Sequence, residues 1–342
     1  MNSVLKEDIA QIIASDIRWE KLKDCSVLIT GASGMLGGYI LRTLAELNHT
    51  KNFNMKLYAL VRNPQKLPEE LRDEVEVIVQ SVTEPIAHEA VFDYVFHTAS
   101  PASPRIMRED PVGTAAANTL GAYYTLQAAQ RSNAKGYLFI SSREIYGQPY
   151  EGQKFFTEDT YGFVDPLDPR SCYPEGKKAA ETMCASFRQQ YGLNTKIARL
   201  AHTFGPGMSI DDGRVQADFL KNVVNHQDIV LKSEGTAIRT YTYVSDAVAA
   251  IFYILLNTPD MVYNIASEES TVSIRDLAQT LIEAYPERNL KLVFDIPKPS
   301  ENTGCAPFTL GILNSEKLRK VGWKPAYSLK EGLMRTVRFL ES

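Results

Sequence analysis

The sequence of 342 residues has little cysteine, little histidine and no long apolar run. The four cysteines, Cys25, Cys172, Cys184 and Cys305, lack the paired spacing of a thiolate metal site, so we expect reduced, structural thiols. The five histidines are equally dispersed, and no metal site is predicted. No stretch approaches the roughly 20 apolar residues of a membrane-spanning helix. The first residues also lack the basic and apolar regions of a signal peptide. A cytoplasmic protein without membrane contact is expected.

Excess positive charge is also missing. Lys and Arg total 37 against 41 Asp and Glu, which gives a net charge of -4 without any basic run. This balance argues against a nucleic-acid partner. A hydrophobic content of 44% and a charged content of 23% are ordinary for a globular protein. The length favours one large α/β unit with a smaller companion.

The N-terminal residues 1–24 carry a helical pattern. Five apolar residues recur at near-helical spacing, namely Val4, Leu5, Ile9, Ile12 and Ile13. We expect a short amphipathic helix here, an extension that packs on the main domain.

A glycine-rich loop follows the first strand, which is predicted at residues 25–30. Three glycines give the pattern G-x-x-G-x-x-G before a helix predicted over 39–47. A turn without Cβ atoms lets a pyrophosphate approach the backbone N–H groups at a helix N-terminus. The pattern therefore predicts a dinucleotide site, with the candidate residues Gly31, Ser33, Gly34, Met35, Leu36 and Gly37.

Strands and helices alternate over residues 25–200. Further strands are predicted at 56–61, 74–79, 94–97, 137–142 and 195–200, and helices at 113–131 and 173–191. This alternation is typical of an α/β, doubly wound parallel sheet of the Rossmann type, whose ligands lie at the carboxyl ends of the strands. Thr98, Ala99 and Ser100 follow the fourth strand and should lie beside the nicotinamide. His97 is interpreted as a strand-end residue.

The residue after the second strand bears on the choice of cofactor. An acidic residue there would bind the ribose 2′-OH of NAD, whereas an arginine accommodates the NADP phosphate. This chain has Arg62 and no acid at that position. NAD and NADP both stay open.

Tyr173 and Lys177 are four residues apart, which places them on one helix face, a single turn apart. A lysine ammonium at that distance favours the phenolate, so Tyr173 is a candidate general base. Ser142, at the end of an apolar strand, could share the proton of a substrate hydroxyl. These three residues form the candidate catalytic set.

Residues 201–342 are expected to bind mainly the substrate, with some segments returning to the Rossmann domain. Turn-rich loops are predicted at 202–207 and 211–214, and helices at 274–285 and 330–340 form a small lid. Arg214 and Arg239 are candidates for the diphosphate of a second nucleotide, because the planar guanidinium matches phosphate oxygens.

The chain resembles the extended short-chain dehydrogenase/reductase superfamily in its glycine loop, Ser142, Tyr173 and Lys177. Within it, the likeness is greatest to UDP-glucuronate decarboxylases (UDP-xylose synthases). The shared stretches are His97–Pro104, Pro169–Lys177, Ala180–Met183, Thr203–Pro206 and Asp212–Val215.

The resemblance implies an NAD-dependent enzyme that regenerates its own cofactor. Tyr173 would take the proton of the sugar 4-hydroxyl while hydride leaves C4, and Lys177 would hold the cofactor ribose and lower the Tyr173 pKa. The resulting 4-keto uronate would lose CO2 before hydride returns. Glu144 would assist at the carboxylate, Asn118 would lie near the cofactor and Ser100 near both ligands. A homodimer built on the helices at 113–131 and 173–191 is implied as well.

Three positions depart from the decarboxylase pattern. Arg143 replaces a small hydroxyl residue on the C5/C6 side of the sugar, where it could bind a substrate carboxylate or phosphate or turn into an ion pair. His202 replaces an asparagine that contacts the diphosphate, and Gly207 replaces an arginine. A 4-epimerase, an NADPH-dependent keto-sugar reductase and a non-catalytic NAD(P)-binding sensor or scaffold are the alternatives.

Overall fold

The computed structural model describes residues 1–211, 213–296 and 310–342. Residue 212 and Cys305 of the sequence analysis lie outside these ranges. Cys25, Cys172 and Cys184 are free thiols. The helices are α1 Ser3–Ala14, α2 Met35–Lys51, α3 Pro104–Glu109, α4 Pro111–Arg131, α5 Cys172–Tyr191, α6 Val215–Val224, α7 Val244–Asn257, α8 Ile274–Ala284, α9 Glu316–Lys320 and α10 Leu329–Leu340. None of the helices in the described part of the chain has the length and apolar character needed to span a bilayer.

The strands are β1 Ser26–Thr30, β2 Lys56–Val61, β3 Glu76–Val79, β4 Tyr94–His97, β5 Gly136–Ser142, β6 Thr195–Leu200, β7 His202–Phe204, β8 Ile229–Leu231, β9 Ile238–Tyr243, β10 Val262–Ile265, β11 Thr271–Ser273, β12 Leu292–Phe294 and β13 Leu310–Gly311. Seven of them form the central parallel sheet, in the order β10-β6-β5-β4-β1-β2-β3. The predicted doubly wound sheet is confirmed. Its strand order reverses between β1 and β4, and ligands bind such sheets at this crevice.

Both faces of this sheet are covered by helices. Val27 and Ile29 of β1 pack in one core with α2 and α7, whereas Leu28 points into the other core with α4 and α5. Successive side chains of a strand point to opposite faces, so a strand buried on both sides must be apolar throughout. This explains the unbroken apolar run that predicted β1.

Part of the chain beyond residue 200 belongs to the central sheet. Strand β10 pairs with β6 at its edge, and α7 packs against α1 and α2. The division of the chain near residue 200 stays a prediction, since these later segments share the core of the earlier ones.

A smaller sheet lies beside the carboxyl edge and carries the candidate substrate residues. Strand β9 pairs with β7, β11 and β13. The loop predicted over 202–207 is therefore wrong for 202–204, which form β7. Phe204 is buried there against the rings of Tyr241 and Tyr243, and this packing outweighs the turn residues that follow.

Helix α1 forms where the apolar pattern predicts it. Val4, Leu5, Ile9 and Ile12 are buried, and the helix packs against α2, α7 and α10. The helix predicted at 330–340 also forms, as α10. One of its neighbours is the N-terminal helix α1.

Candidate active site

The glycine loop connects β1 to α2 at the carboxyl edge of the sheet. Gly31 has a φ of +68°, which favours glycine, and a Cβ on Gly37 would lie 2.3 Å from the carbonyl oxygen of Gly31. Helix α2 begins directly after Gly34 without a side-chain cap, so its first N–H groups face a cavity of about 170 Å³ lined by Ser33, Gly34 and Met35. This arrangement fits the pyrophosphate of a dinucleotide.

The segment after β4 packs onto the glycine loop. Thr98 Oγ1 donates to the carbonyl of Thr30 at 2.7 Å, and a Cβ on Gly31 would lie 2.8 Å from the Ala99 Cα. Ser100 Oγ donates to Asn118 Oδ1 at 2.7 Å, while Asn118 Nδ2 donates to Thr114 O at 2.9 Å. Asn118 is fully buried and uses both ends of its amide within the protein, so it holds Ser100 in place.

His97 is a structural residue, as expected. Its Nδ1 hydrogen-bonds Thr30 Oγ1 at 2.8 Å, and burial together with the nearby Lys177 lowers its pKa to about 3. The ring is therefore neutral at physiological pH and is no proton carrier.

Ser142, Tyr173 and Lys177 come together as the sequence predicts. Ser142 ends β5, and a hydrogen bond joins its side chain to the Tyr173 hydroxyl at the start of α5. Lys177 Nζ lies 5.7 Å from the centre of the Tyr173 ring and 4.6 Å from that of Phe139. It donates to the carbonyl of Ile140 at 2.7 Å. The geometry is that of a Ser–Tyr–Lys set on rigid elements.

The electrostatics differ from the expectation. Burial is the main cause that raises the pKa of Tyr173 to about 12, and the negative charge of Glu144 adds to it. The hydrogen bond with Ser142 and the charges of Arg214 and Arg170 act in the opposite direction. Burial lowers the pKa of Lys177 to about 7. Burial thus outweighs the neighbouring cations in this structure, and the Lys177 ammonium, itself costly to bury, is turned to the Ile140 carbonyl. Tyr173 rests as a phenol and must ionise before it can accept a proton. The assistance of Lys177 in that ionisation stays a prediction.

Glu144 forms an ion pair that the sequence did not reveal. Arg170 Nη2 donates to both of its carboxylate oxygens, at 3.0 and 2.9 Å. Nη1 of Arg170 is buried without a hydrogen-bond partner among the residues that the structure describes. The two residues are 26 positions apart. In the sequence, the only signal for Arg170 is its place in the stretch Pro169–Lys177, which resembles the decarboxylases.

Arginines gather around the candidate substrate residues. Arg143 is only 4% exposed, and its Nη1 donates to the Leu310 carbonyl at 3.3 Å. Burial, against the charge of Glu144, lowers its pKa to about 10, so it stays charged. Burial and the charges of Arg143, Arg239 and Arg214 hold the pKa of His202 well below its ordinary value. A neutral His202 can offer an N–H to an anion without adding charge.

Arg62 is exposed just past β2, as the sequence suggested. Two further cations, Arg42 and Lys66, line the cavity beside the glycine loop and were missed. Arg42 is paired with Glu70 at 3.2 Å. Two basic side chains therefore lie beside the glycine loop, one of them paired with a carboxylate.

The sequence pattern of the NAD dependent epimerase/dehydratase family matches residues 27–266. The chain belongs to this family. It is 31% identical over 317 residues to UDP-glucuronic acid decarboxylase 6 of Arabidopsis thaliana, covering 90% of this chain and 86% of that protein.

Solved structures agree on the fold. The UDP-glucose 4-epimerase of Thermotoga maritima superposes with a TM-score of 0.77 at 24% identity, over 92% of this chain and 98% of that one. The UDP-glucuronic acid 4-epimerase of Bacillus cereus, solved with UDP-glucuronic acid and NAD, gives 0.72 at 19% identity, over 92% and 99%. The family match and the 31% identical relative together make the chain an NAD-dependent enzyme of the kind that modifies nucleotide sugars. The alternative of a non-catalytic sensor is set aside.

Proposed function

We propose that the enzyme acts on a nucleoside diphosphate uronate, most simply UDP-glucuronate, through a transient 4-keto sugar that loses CO2. The observation that carries the proposal is the group of arginines around Tyr173. The group consists of four arginines whose charges affect Tyr173, His202 or one another, namely Arg143, Arg170, Arg214 and Arg239. Glu144 is the carboxylate whose charge opposes theirs.

The guanidinium groups of this set suit a substrate with several anionic groups. A sugar diphosphate carries one negative charge on each phosphate, and a uronate adds a third. The planar fork of arginine matches the oxygens of both phosphate and carboxylate groups.

The protein's own residues provide the proton transfers. Tyr173, held by Ser142, takes the proton of the 4-hydroxyl and later returns one to the 4-keto oxygen. NAD bound at the glycine loop would supply a reversible hydride acceptor for C4. Loss of CO2 leaves its bonding electrons on the enolate, and C5 then takes a proton that comes from solvent water. The ammonium form of Lys177 favours ionisation of Tyr173.

Arg143 supports a second candidate, C4 epimerisation of the same uronate. A cation that holds the carboxylate stabilises the bound uronate more than it stabilises departing neutral CO2, and so opposes decarboxylation. Arg143 lies near both Glu144 and Tyr173, and the family resemblance implies that this position faces the C5/C6 side of the sugar. Both candidates share the 4-keto intermediate.

The two candidates separate by mass spectrometry. The purified enzyme is incubated with NAD and UDP-glucuronate, beside UDP-glucose, UDP-galacturonate and CDP- and dTDP-hexoses. Loss of CO2 from the uronate supports decarboxylation. An unchanged mass with a new chromatographic peak supports the epimerase. If no nucleotide sugar is converted, the proposed function is wrong.

Net reduction of a keto-sugar is a third candidate, favoured by Arg62, which is exposed just past β2 where an arginine can accommodate the 2′-phosphate of NADPH. A reductase consumes NADPH in proportion to product, whereas a self-regenerating enzyme consumes none. Absorbance at the reduced nicotinamide band during turnover decides between them.

A homodimer is proposed through α4 and α5. Their outer face exposes Val112, Leu120, Tyr123 and Tyr191, and the ring of Phe187 contacts those of Tyr123 and Tyr191. Monomers rarely leave such an apolar stripe uncovered. Leu120→Glu should convert the dimer into a monomer in light scattering, whereas the outward Thr182→Glu on α5 tests whether any added charge does so. We also expect the enzyme to act in the cytoplasm.

A further inference from the structure

Asp8 occupies an unusual place on α1. Its side chain is completely buried, and its Oδ2 accepts hydrogen bonds from Tyr39 at 2.7 Å and from Tyr243 at 2.8 Å. Its Oδ1 accepts from Arg335 at 2.6 and 3.0 Å. One carboxylate thus joins three other elements, α2, β9 and α10.

The two tyrosines belong to the two halves of the active site. Tyr39 lies in the second turn of α2, whose first residues follow the glycine loop, and lines the cavity beside Gly34 and Met35. Tyr243 ends β9, the strand that carries Arg239 and pairs through Tyr241 with His202. The shared oxygen of Asp8 fixes the distance between these two hydroxyls.

The surrounding packing leaves little freedom for this contact. A Cβ on Gly332 of α10 would lie 2.9 Å from the Tyr243 ring, and one on Gly207 would lie 3.6 Å from the Met35 Cα. Helix α10 therefore presses on Tyr243, and the loop after β7 touches the first residue of α2. A shift of one half relative to the other requires the Asp8 hydrogen bonds to break.

Stability alone is a weak reason for a buried ion pair. Burial raises the pKa of Asp8, although the hydrogen bonds from Tyr39 and Tyr243 and the charge of Arg335 each lower it. Apolar residues of similar volume are often as stabilising as such a pair. Buried polar groups can instead fix one arrangement of the elements around them.

We propose that Asp8 is a positioning residue that sets the cofactor loop relative to the substrate strand β9 through Tyr39 and Tyr243. The role of Asp8 in cofactor binding rests on the family's use of NAD. Only its role in binding the nucleotide sugar rests on the proposed function. Tyr39 then governs cofactor binding, and Tyr243 governs binding of the nucleotide sugar.

Binding measurements on the full-length enzyme test this without turnover. NADH is titrated by its fluorescence and UDP by calorimetry, with Tyr39→Phe, Tyr243→Phe and Asp8→Asn. Loss of one hydrogen bond predicts that Tyr39→Phe weakens NADH binding roughly three- to tenfold, that Tyr243→Phe does the same for UDP, and that Asp8→Asn weakens both. The two Tyr→Phe variants carry the test if Asp8→Asn does not fold.

Two control variants separate positioning from stability. Tyr137→Phe removes a buried hydroxyl that bonds Thr125 at 3.0 Å in the other core, and Glu7→Gln breaks the surface pair with the same Arg335. Both should keep wild-type dissociation constants. Unchanged NADH binding in Tyr39→Phe, or equal weakening in Tyr137→Phe, overturns the proposal. If wild type binds no UDP, the proposed substrate class fails, and the NADH results alone decide the role of Asp8.

Discussion

Replacing Arg143 by glutamine is the sharpest test of the uronate site. Arg143 is buried beside Glu144 and Tyr173, and its pKa of about 10 keeps it charged in neutral buffer. Glutamine keeps a hydrogen-bond donor, on a shorter side chain, and removes the charge. We expect the variant to lose affinity for UDP-glucuronate and to keep affinity for UDP-glucose.

The magnitude follows from the interaction that is lost. A hydrogen bond to a charged group contributes about 1.5 to 3 kcal/mol, which corresponds to roughly a 10- to 150-fold change in binding. The hydrogen bond that Arg143 donates to the Leu310 carbonyl is worth about 1 kcal/mol, and the charges of Arg239 and Arg170 repel that of Arg143.

The assay is competition by each nucleotide sugar against a fluorescent UDP probe, with the melting temperature recorded in parallel. Arg275→Gln, an exposed arginine of α8 that pairs with Glu234, is the matched control and should bind both sugars as wild type does. Equal affinity of Arg143→Gln and wild type for UDP-glucuronate would refute the assignment. An equal loss for both sugars would place Arg143 at the diphosphate.

Three further predictions concern the catalytic set and the cofactor loop. Tyr173→Phe should abolish turnover and leave NADH binding nearly intact, and retained turnover would disprove its role as proton carrier. The pKa of Lys177 is lowered to about 7 in the folded state, so the unfolded chain binds more protons between pH 7 and its ordinary value of 10.5. Stability should therefore rise with pH in this window, by up to about 1.4 kcal/mol per unit. The free energy of unfolding of wild type and Lys177→Met is measured in urea from pH 7 to 9. The stability advantage of Lys177→Met over wild type should be largest at pH 7 and shrink as the pH rises. A difference that does not change with pH would contradict the burial argument. Gly37→Ala places a methyl group 2.3 Å from Gly31 O and should weaken NADH binding more than tenfold. Gly192→Ala, at a φ of +70° where alanine is strained, should lower stability and leave NADH binding unchanged.

The sequence by itself determined the central sheet and the position of the catalytic set. Apolar strands alternating with helices leave only one sheet type, and β2, β4 and β6 begin and end at the predicted residues. Tyr173 and Lys177 could be paired because four residues make one helical turn, a local distance that the chain itself fixes. The glycine loop is equally local.

Only the tertiary structure decided which groups meet across long separations. The pairs Glu144–Arg170 and Asp8–Tyr243 have no periodic signal, because their approach depends on how whole elements pack. The residues of β7 and those that follow predict a loop. The partner strand β9 lies far along the chain, and the burial of Phe204 against Tyr241 and Tyr243 has no local signal in the sequence. The pKa values of Tyr173 and Lys177 likewise follow from desolvation. Burial is a property of the assembled fold, and spacing along the chain does not record it.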